Sequence, residues 1–144
     1  DARAVVASHV SKGADALAKA AGPRYSVRDL RAFKSAEPVY RAVVEGLGKE
    51  DSASVVLRDA LDLLTQGCHA FHARDKLERY SACRERIATA VSRLLLEGPA
   101  GDAKREGLAR RLEQEVLPDV SSLIRMTERF SRRQRFDAFG RDGQ

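Results

Sequence analysis

The stretch from Leu57 to Leu95 carries a repeating apolar pattern that strongly limits what the chain can fold into. Apolar side chains recur every three or four residues, a spacing that a helix turns into one continuous stripe. No alternation of apolar and polar residues, which would be typical of a half-buried strand, competes with it. The pattern therefore predicts an all-α protein with this stretch at its centre. The stripe consists of Leu57, Leu61, Leu64, Cys68, Phe71, Leu77, Tyr80, Cys83, Ile87, Val91 and either Leu94 or Leu95.

Two signals indicate that this stripe is divided into two helices. Gly67 costs about 1 kcal/mol relative to Ala in a helix interior, and Asp75 is followed three residues later by a Glu, the pattern of a capping box. We therefore expect a break between His72 and Asp75, with antiparallel helices over residues 53–73 and 76–97. One continuous helix is the alternative, although compact domains of this size rarely contain a helix of that length.

Three further helices are expected on either side of this hairpin. The first covers residues 2–21 and has an Ala-rich contact face. The second covers residues 36–47, with Pro38 tolerated in its first turn. The third covers residues 103–131, and Pro118 should kink or restart it because proline removes a backbone donor and clashes with the preceding turn.

These elements predict an antiparallel bundle of four to five helices with a central helical hairpin. The bundle should occupy residues 1–131 and be followed by a basic, partly frayed C-terminal tail over residues 132–144. Ser26 and Asp29 form an imperfect capping box that should open a short turn before the second helix. A chain of 144 residues can bury one core of ordinary size. No apolar run approaches the roughly 20 residues that a membrane-spanning helix needs.

Cys68 and Cys83 allow more than one interpretation. In a hairpin that turns near residue 75 they lie opposite each other within disulfide reach, whereas a continuous helix would hold them about 22 Å apart. A disulfide would imply an oxidising compartment.

Cys68 and His72 also share a helical face that could bind zinc, with Cys83 as a third ligand, but the second close pair of a usual zinc site is missing. We favour two reduced core thiols and expect no metal and no cofactor.

The second half of the chain carries most of the positive charge. Residues 73–144 hold 16 basic and 12 acidic residues, against 10 and 9 in residues 1–72. Basic residues alternating with aromatic ones favour docking onto an acidic surface of a protein partner, and anionic lipid or nucleic acid is the alternative ligand. The candidate contact residues are Arg129, Phe130, Arg132, Arg133, Arg135, Phe136 and Phe139.

No motif in the chain indicates catalysis. The sequence contains no HExxH pair, no Glu-x-x-His motif and no glycine-rich phosphate loop, so we do not expect an enzyme. The leading hypothesis is a non-catalytic helical interaction module, an accessory subunit or adaptor domain of a larger assembly. The alternative is a bundle that targets a membrane or polyanion through a basic tip. The compartment is unknown: an intracellular one is favoured, and an N-terminal Asp instead of Met would fit either a fragment or a processed organellar subunit, such as a mitochondrial one.

Overall fold

The computed structural model describes residues 26–142, with side chains described through Arg135. This part is helical throughout and contains no strand, so the predicted all-α class is confirmed. The predicted helix over residues 2–21 lies outside the described residues. The elements are a 3₁₀ turn (Val27–Asp29), α1 (Arg31–Leu47), α2 (Ser52–His69), α3 (Ala73–Leu96), α4 (Ala103–Arg111), a π-turn (Leu112–Val116) and α5 (Leu117–Asp142).

Four helical units pack side by side in this part of the chain. Helix α2 packs against α1 and α3, and the rod formed by α4, the π-turn and α5 packs against both α3 and α1. Short connections make successive units antiparallel, and Arg84 of α3 donates a hydrogen bond to Ser121 of α5 at 2.9 Å. The predicted helical bundle is therefore confirmed, with one shared core. Its largest fully buried side chains include Leu64, Ile87, Leu94, Leu112, Val39, Val43, Val116 and Val120.

The predicted hairpin is present, but it is not closed by the predicted capping box. Helix α2 ends at His69 and α3 begins at Ala73, so Asp75 lies inside the first turn of α3 instead of capping it. The side chain of Lys76 reaches back across the turn and donates hydrogen bonds from Nζ to the carbonyls of Gly67 at 3.2 Å and Cys68 at 2.7 Å. A cation therefore binds carbonyls at the end of α2, where the Gly67 carbonyl also accepts the Ala70 N–H at 3.2 Å.

Gly67 is a packing position in α2 and not a helix end. A Cβ atom built on Gly67 would lie 2.6 Å and 2.7 Å from two ring carbons of Tyr80, and 3.1 Å from the Cβ of Arg79. Both Gly67 and Tyr80 are buried. The missing side chain thus lets the Tyr80 ring pack directly on the backbone of α2, and this contact sets the register between the two helices.

Helix α1 begins five residues earlier than expected, at Arg31 instead of residue 36. Pro38 therefore lies inside the helix, where it cannot donate the hydrogen bond that a residue at this position normally makes. The predicted short turn before α1 is confirmed. The Ser26 hydroxyl accepts from the Arg28 N–H at 3.2 Å, and the Ser26 N–H donates to Asp29 Oδ2 at 3.1 Å.

Pro118 does not break the last helix, because a π-turn precedes it. The Leu117 N–H donates to the Leu112 carbonyl, one residue further back than in an α-helix. This wider turn makes room for the proline ring next to carbonyls of the preceding turn. The helix then continues to Asp142, so the predicted end at residue 131 is wrong, and residues 132–142 belong to α5.

Arg105 of α4 contacts two other helices at the end of the bundle away from the hairpin turn. Its side chain is buried, and its Nε and Nη2 donate to the carbonyls of Leu94 at 3.1 Å and Arg93 at 3.2 Å at the end of α3. Its Nη1 lies 3.2 Å from Asp51 Oδ2. The other carboxylate oxygen of Asp51 accepts the Ala53 N–H and caps α2. One guanidinium thus joins α4 to the end of α3 and the start of α2.

Replacing Gly67 with Ala tests the contact with Tyr80. We expect Gly67→Ala to destabilise the protein by about 1–3 kcal/mol, because overpacking in the core outweighs the better helix propensity of Ala. Gly107→Ala is the matched control, since nothing lies within 4 Å of a Cβ at that helical position. It should stabilise the protein by about 0.5–1 kcal/mol. Urea unfolding of both variants measures the difference, and equal stabilisation would contradict the proposed packing.

Replacing Arg105 with Met tests its contacts at the end of the bundle away from the hairpin turn. We expect a loss of about 3 kcal/mol in the free energy of unfolding, because buried carbonyls and a carboxylate lose their partner. Arg93→Met is the control: Arg93 pairs with Glu97 at 3.1 Å, and both side chains are largely exposed. That pair should contribute less than about 1 kcal/mol. Chemical denaturation of both variants gives the comparison, and similar losses would argue against a special role for Arg105.

Candidate interaction surface

The hairpin turn, the start of α1 and the C-terminal half of α5 meet at one end of the bundle. The 3₁₀ turn contacts α2, and the pKa of the Cys68 thiol is raised first by its burial and to a smaller extent by the nearby Asp29 carboxylate. On the other side, Leu77 of α3 shares a shallow cavity of about 260 Å³ with Ser131 and Arg135 of α5. Three segments that are distant in sequence therefore form one surface, which we call the tip.

Helix α5 projects beyond the rest of the bundle at the tip. Because α3 and α5 are antiparallel and Arg84 is level with Ser121, the first residue of α3, Ala73, is level with about residue 132. The residues from there to Asp142 extend roughly 15 Å past the start of α3. All five predicted contact residues whose side chains the structure describes are exposed: Arg129, Phe130, Arg132, Arg133 and Arg135.

Packing divides the predicted contact residues between two faces of α5. Arg129, Phe130 and Arg133 lie on its outward face and are exposed, since buried Ser131 turns the opposite face toward α3. Arg132 and Arg135 instead line the cavity beside α3. Arg132 also lies 3.9 Å from Glu128, in an ion pair with both side chains exposed. Phe136 and Phe139 lie further along α5, and their side chains fall outside those described.

Phe71 is the aromatic residue of the tip that the sequence pattern misassigned. The apolar stripe places it in the core, yet its side chain is 92% exposed in the turn between α2 and α3. Its ring packs edge-on against the neighbouring His72 ring, with centroids 5.1 Å apart. The exposed ring of Phe71 is available to a ligand at this end of the bundle. The sequence pattern placed the break after His72, so Phe71 fell inside the predicted helix, whereas the structure places it in the turn.

We use the name tip surface for the exposed aromatic and basic side chains at this end, namely Phe71 in the turn and Arg129, Phe130 and Arg133 on α5. Phe130 is 58% exposed, so two large apolar side chains at this end lack a full cover. Residues 125–135 hold five arginines and one acidic residue, Glu128. The tip surface thus combines aromatic side chains with a local excess of positive charge, which suits an acidic ligand.

The two thiols and Tyr80 form a buried cluster below the tip. Burial raises the pKa of the Cys83 thiol from 9.0 to about 12 and that of the Tyr80 hydroxyl from 10.0 to about 12. Burial also raises the pKa of the Cys68 thiol, although nearby Lys76 partly opposes this. A protonated thiol is a poor nucleophile and a poor metal ligand, so this cluster favours packing over chemistry.

Both cysteines are free thiols, and the disulfide that a hairpin would allow is not formed. The register explains why. Gly67 lies opposite Arg79 and Tyr80, so the hairpin is centred near residue 73 and not near residue 75. This shift offsets Cys68 and Cys83 by about five residues, or about 7 Å along the helix axes. Such an offset exceeds what a disulfide can bridge without moving the backbone.

Within residues 26–142, no three His, Cys, Asp or Glu side chains are grouped closely enough to hold a metal ion. Over the same residues, no helix is both long enough and apolar enough to cross a bilayer.

Comparison with known proteins identifies no match: no family model, no curated protein and no solved structure is similar to this chain. The fold defines a helical bundle, and the tip surface is its candidate binding surface.

The buried thiol of Cys83 predicts a loss of stability at alkaline pH. The unfolded chain releases this proton near pH 9.0, while the folded protein retains it up to about pH 12. The free energy of unfolding should therefore fall as the pH rises from about 9 through about 12. Cys83→Ala removes this contribution, so its stability should fall less than that of the wild type when both are unfolded by urea at about pH 8 and about pH 11.

Cys68→Ala serves as the control for this measurement. Cys68 is only half-buried, so this variant should retain most of the alkaline loss seen in the wild type. An identical fall in the wild type and Cys83→Ala would contradict the assignment.

Proposed function

We propose that the protein is a non-catalytic helical interaction module, an accessory subunit or adaptor domain of a larger protein assembly, and that it binds an acidic protein surface through the tip surface. The observation that carries the proposal is the exposure of Phe71 and Phe130 at the same end as Arg129 and Arg133. Aromatic and arginine side chains provide much of the binding energy in protein interfaces.

The geometry of the tip supports this proposal in a second way. Two basic side chains are instead committed to the fold: Arg105 at the opposite end, and Lys76, which donates to the carbonyls of α2 at the hairpin turn. Arg129 and Arg133 are exposed and can change partners without a cost to the fold. Helix α5 continues past these residues to Asp142, and a groove in a partner could accommodate a helix of this kind.

Binding to anionic lipid or nucleic acid is the second candidate function. The excess of arginines in residues 125–135 and the exposed aromatic side chains support it, because such ligands offer phosphates and either bases or an apolar interface. Glu128, together with Asp137 and Asp142 further along, lowers the net charge of α5. This mixture of signs favours a protein surface with matching positions over a uniform polyanion.

A charge reversal on the tip surface tests the proposal. We expect Arg129→Glu with Arg133→Glu to lose, in affinity capture from the native cells, a protein that the wild type retains, because acidic groups would then face an acidic surface. Arg58→Glu with Arg86→Glu is the matched control. Both of these arginines are exposed on α2 and α3, and the change in net charge is identical. The control should capture the same protein as the wild type.

Two direct binding measurements separate the candidate functions. Phosphatidylcholine vesicles with about one third phosphatidylserine, and single-stranded oligothymidine, should bind only weakly and lose binding as salt is raised. Tight binding to either probe, abolished by Arg129→Glu with Arg133→Glu and kept by Arg58→Glu with Arg86→Glu, would overturn the protein-partner proposal in favour of the second function.

Phe71→Ser should weaken partner capture while changing stability by less than about 0.5 kcal/mol, because the side chain is almost fully exposed.

A further inference from the structure

An apolar groove runs between the start of α1 and the outward face of α5. It has a volume of about 440 Å³, and its floor is formed by Leu30, Ala32, Leu123 and Met126. Met126 is the only methionine in the chain, and it is 62% exposed. Asp29, Arg31, Asp119 and Ser122 form its rim.

We propose that the N-terminal segment of the same chain, residues 2–21, docks as a helix in this groove. The proposal concerns a different surface from the tip surface and does not depend on any external partner. The occupant is indicated by where the chain enters the described part of the structure.

The chain enters beside the groove. Twenty-five residues precede Ser26, where the described part begins, and Asp29 and Leu30 of the groove follow within four residues. The capping box between Ser26 and Asp29 holds this entry point in place. A segment tethered so closely has a local concentration in roughly the millimolar range, so even a modest intrinsic affinity is enough to seat it.

The composition of the segment matches the groove. At helical spacing Val6, Val10 and Leu17 would share one face, and the small residues around them would allow close approach to α5. A helix over residues 2–21 would be roughly 30 Å long and could cover the whole groove. Residues 1–25 hold four basic and two acidic residues, whereas the rim contributes two carboxylates and one arginine. The charges of segment and rim are therefore complementary overall.

Oxidation of Met126 in the full chain provides the first test, because a single methionine gives an unambiguous mass-spectrometric readout. Docking should protect its sulfur from hydrogen peroxide. Val10→Asp with Leu17→Asp places charges on the apolar face and should speed sulfoxide formation by about fivefold or more. Ala4→Asp with Ser8→Asp places the same two charges on the opposite face and should leave the rate unchanged.

Hydrogen exchange provides a second test that starts from the groove side. Amides of residues 2–21 should be protected in the wild type and should lose protection in Met126→Glu. Leu96→Glu is the matched control, because Leu96 is 80% exposed at the end of α3 and lies outside the groove. It should leave the segment protected.

The outcomes are decisive in each direction. Equal oxidation rates in the wild type and the Val10 and Leu17 variant, or unprotected amides in the wild type, would overturn the proposal. Protection that weakens on dilution, together with a dimer in sedimentation, would assign the groove to a second copy of the chain and overturn docking within one molecule. None of these readouts involves the partner of the tip surface, so failure of either proposal leaves the other intact.

Discussion

The fold depends on one buried cation at the end of the bundle opposite the tip. The Arg105 guanidinium contacts the last carbonyls of α3 and the capping carboxylate of Asp51 at the start of α2. A buried charge is tolerated only while its partners are in place, since removing one partner leaves an uncompensated charge in the interior. The ends of three helices must therefore come together at once.

A second constraint acts at the middle of the hairpin and determines what the tip contains. The Tyr80 ring occupies the space that a side chain at residue 67 would take, and this contact sets the register between α2 and α3. The register places Phe71 in the turn and offsets the two thiols. Burial penalises the charged forms of the Tyr80 hydroxyl and the Cys83 thiol and raises the pKa of both to about 12. Both groups therefore stay protonated well into the alkaline range.

The outward face of α5 connects the two surfaces for which we propose ligands. Its first half, with Leu123 and Met126, faces the groove beside α1, and its second half carries Arg129, Phe130 and Arg133 at the tip. A helix that must bury one face in the core and present the other to ligands needs a long uninterrupted length. The π-turn before Pro118 provides this, because it absorbs the proline without ending the helix.

The sequence by itself determined the helical class, the hairpin and the set of basic and aromatic residues near the C-terminus. These follow from local periodicity and composition, which act over a few residues. Only the tertiary structure decided that Gly67 is a contact position, that Phe71 is exposed and that Arg132 and Arg135 line the cavity beside α3. Each of these depends on the register and rotation of one helix against another. Those are set by contacts between residues far apart in the chain, and no local pattern records them.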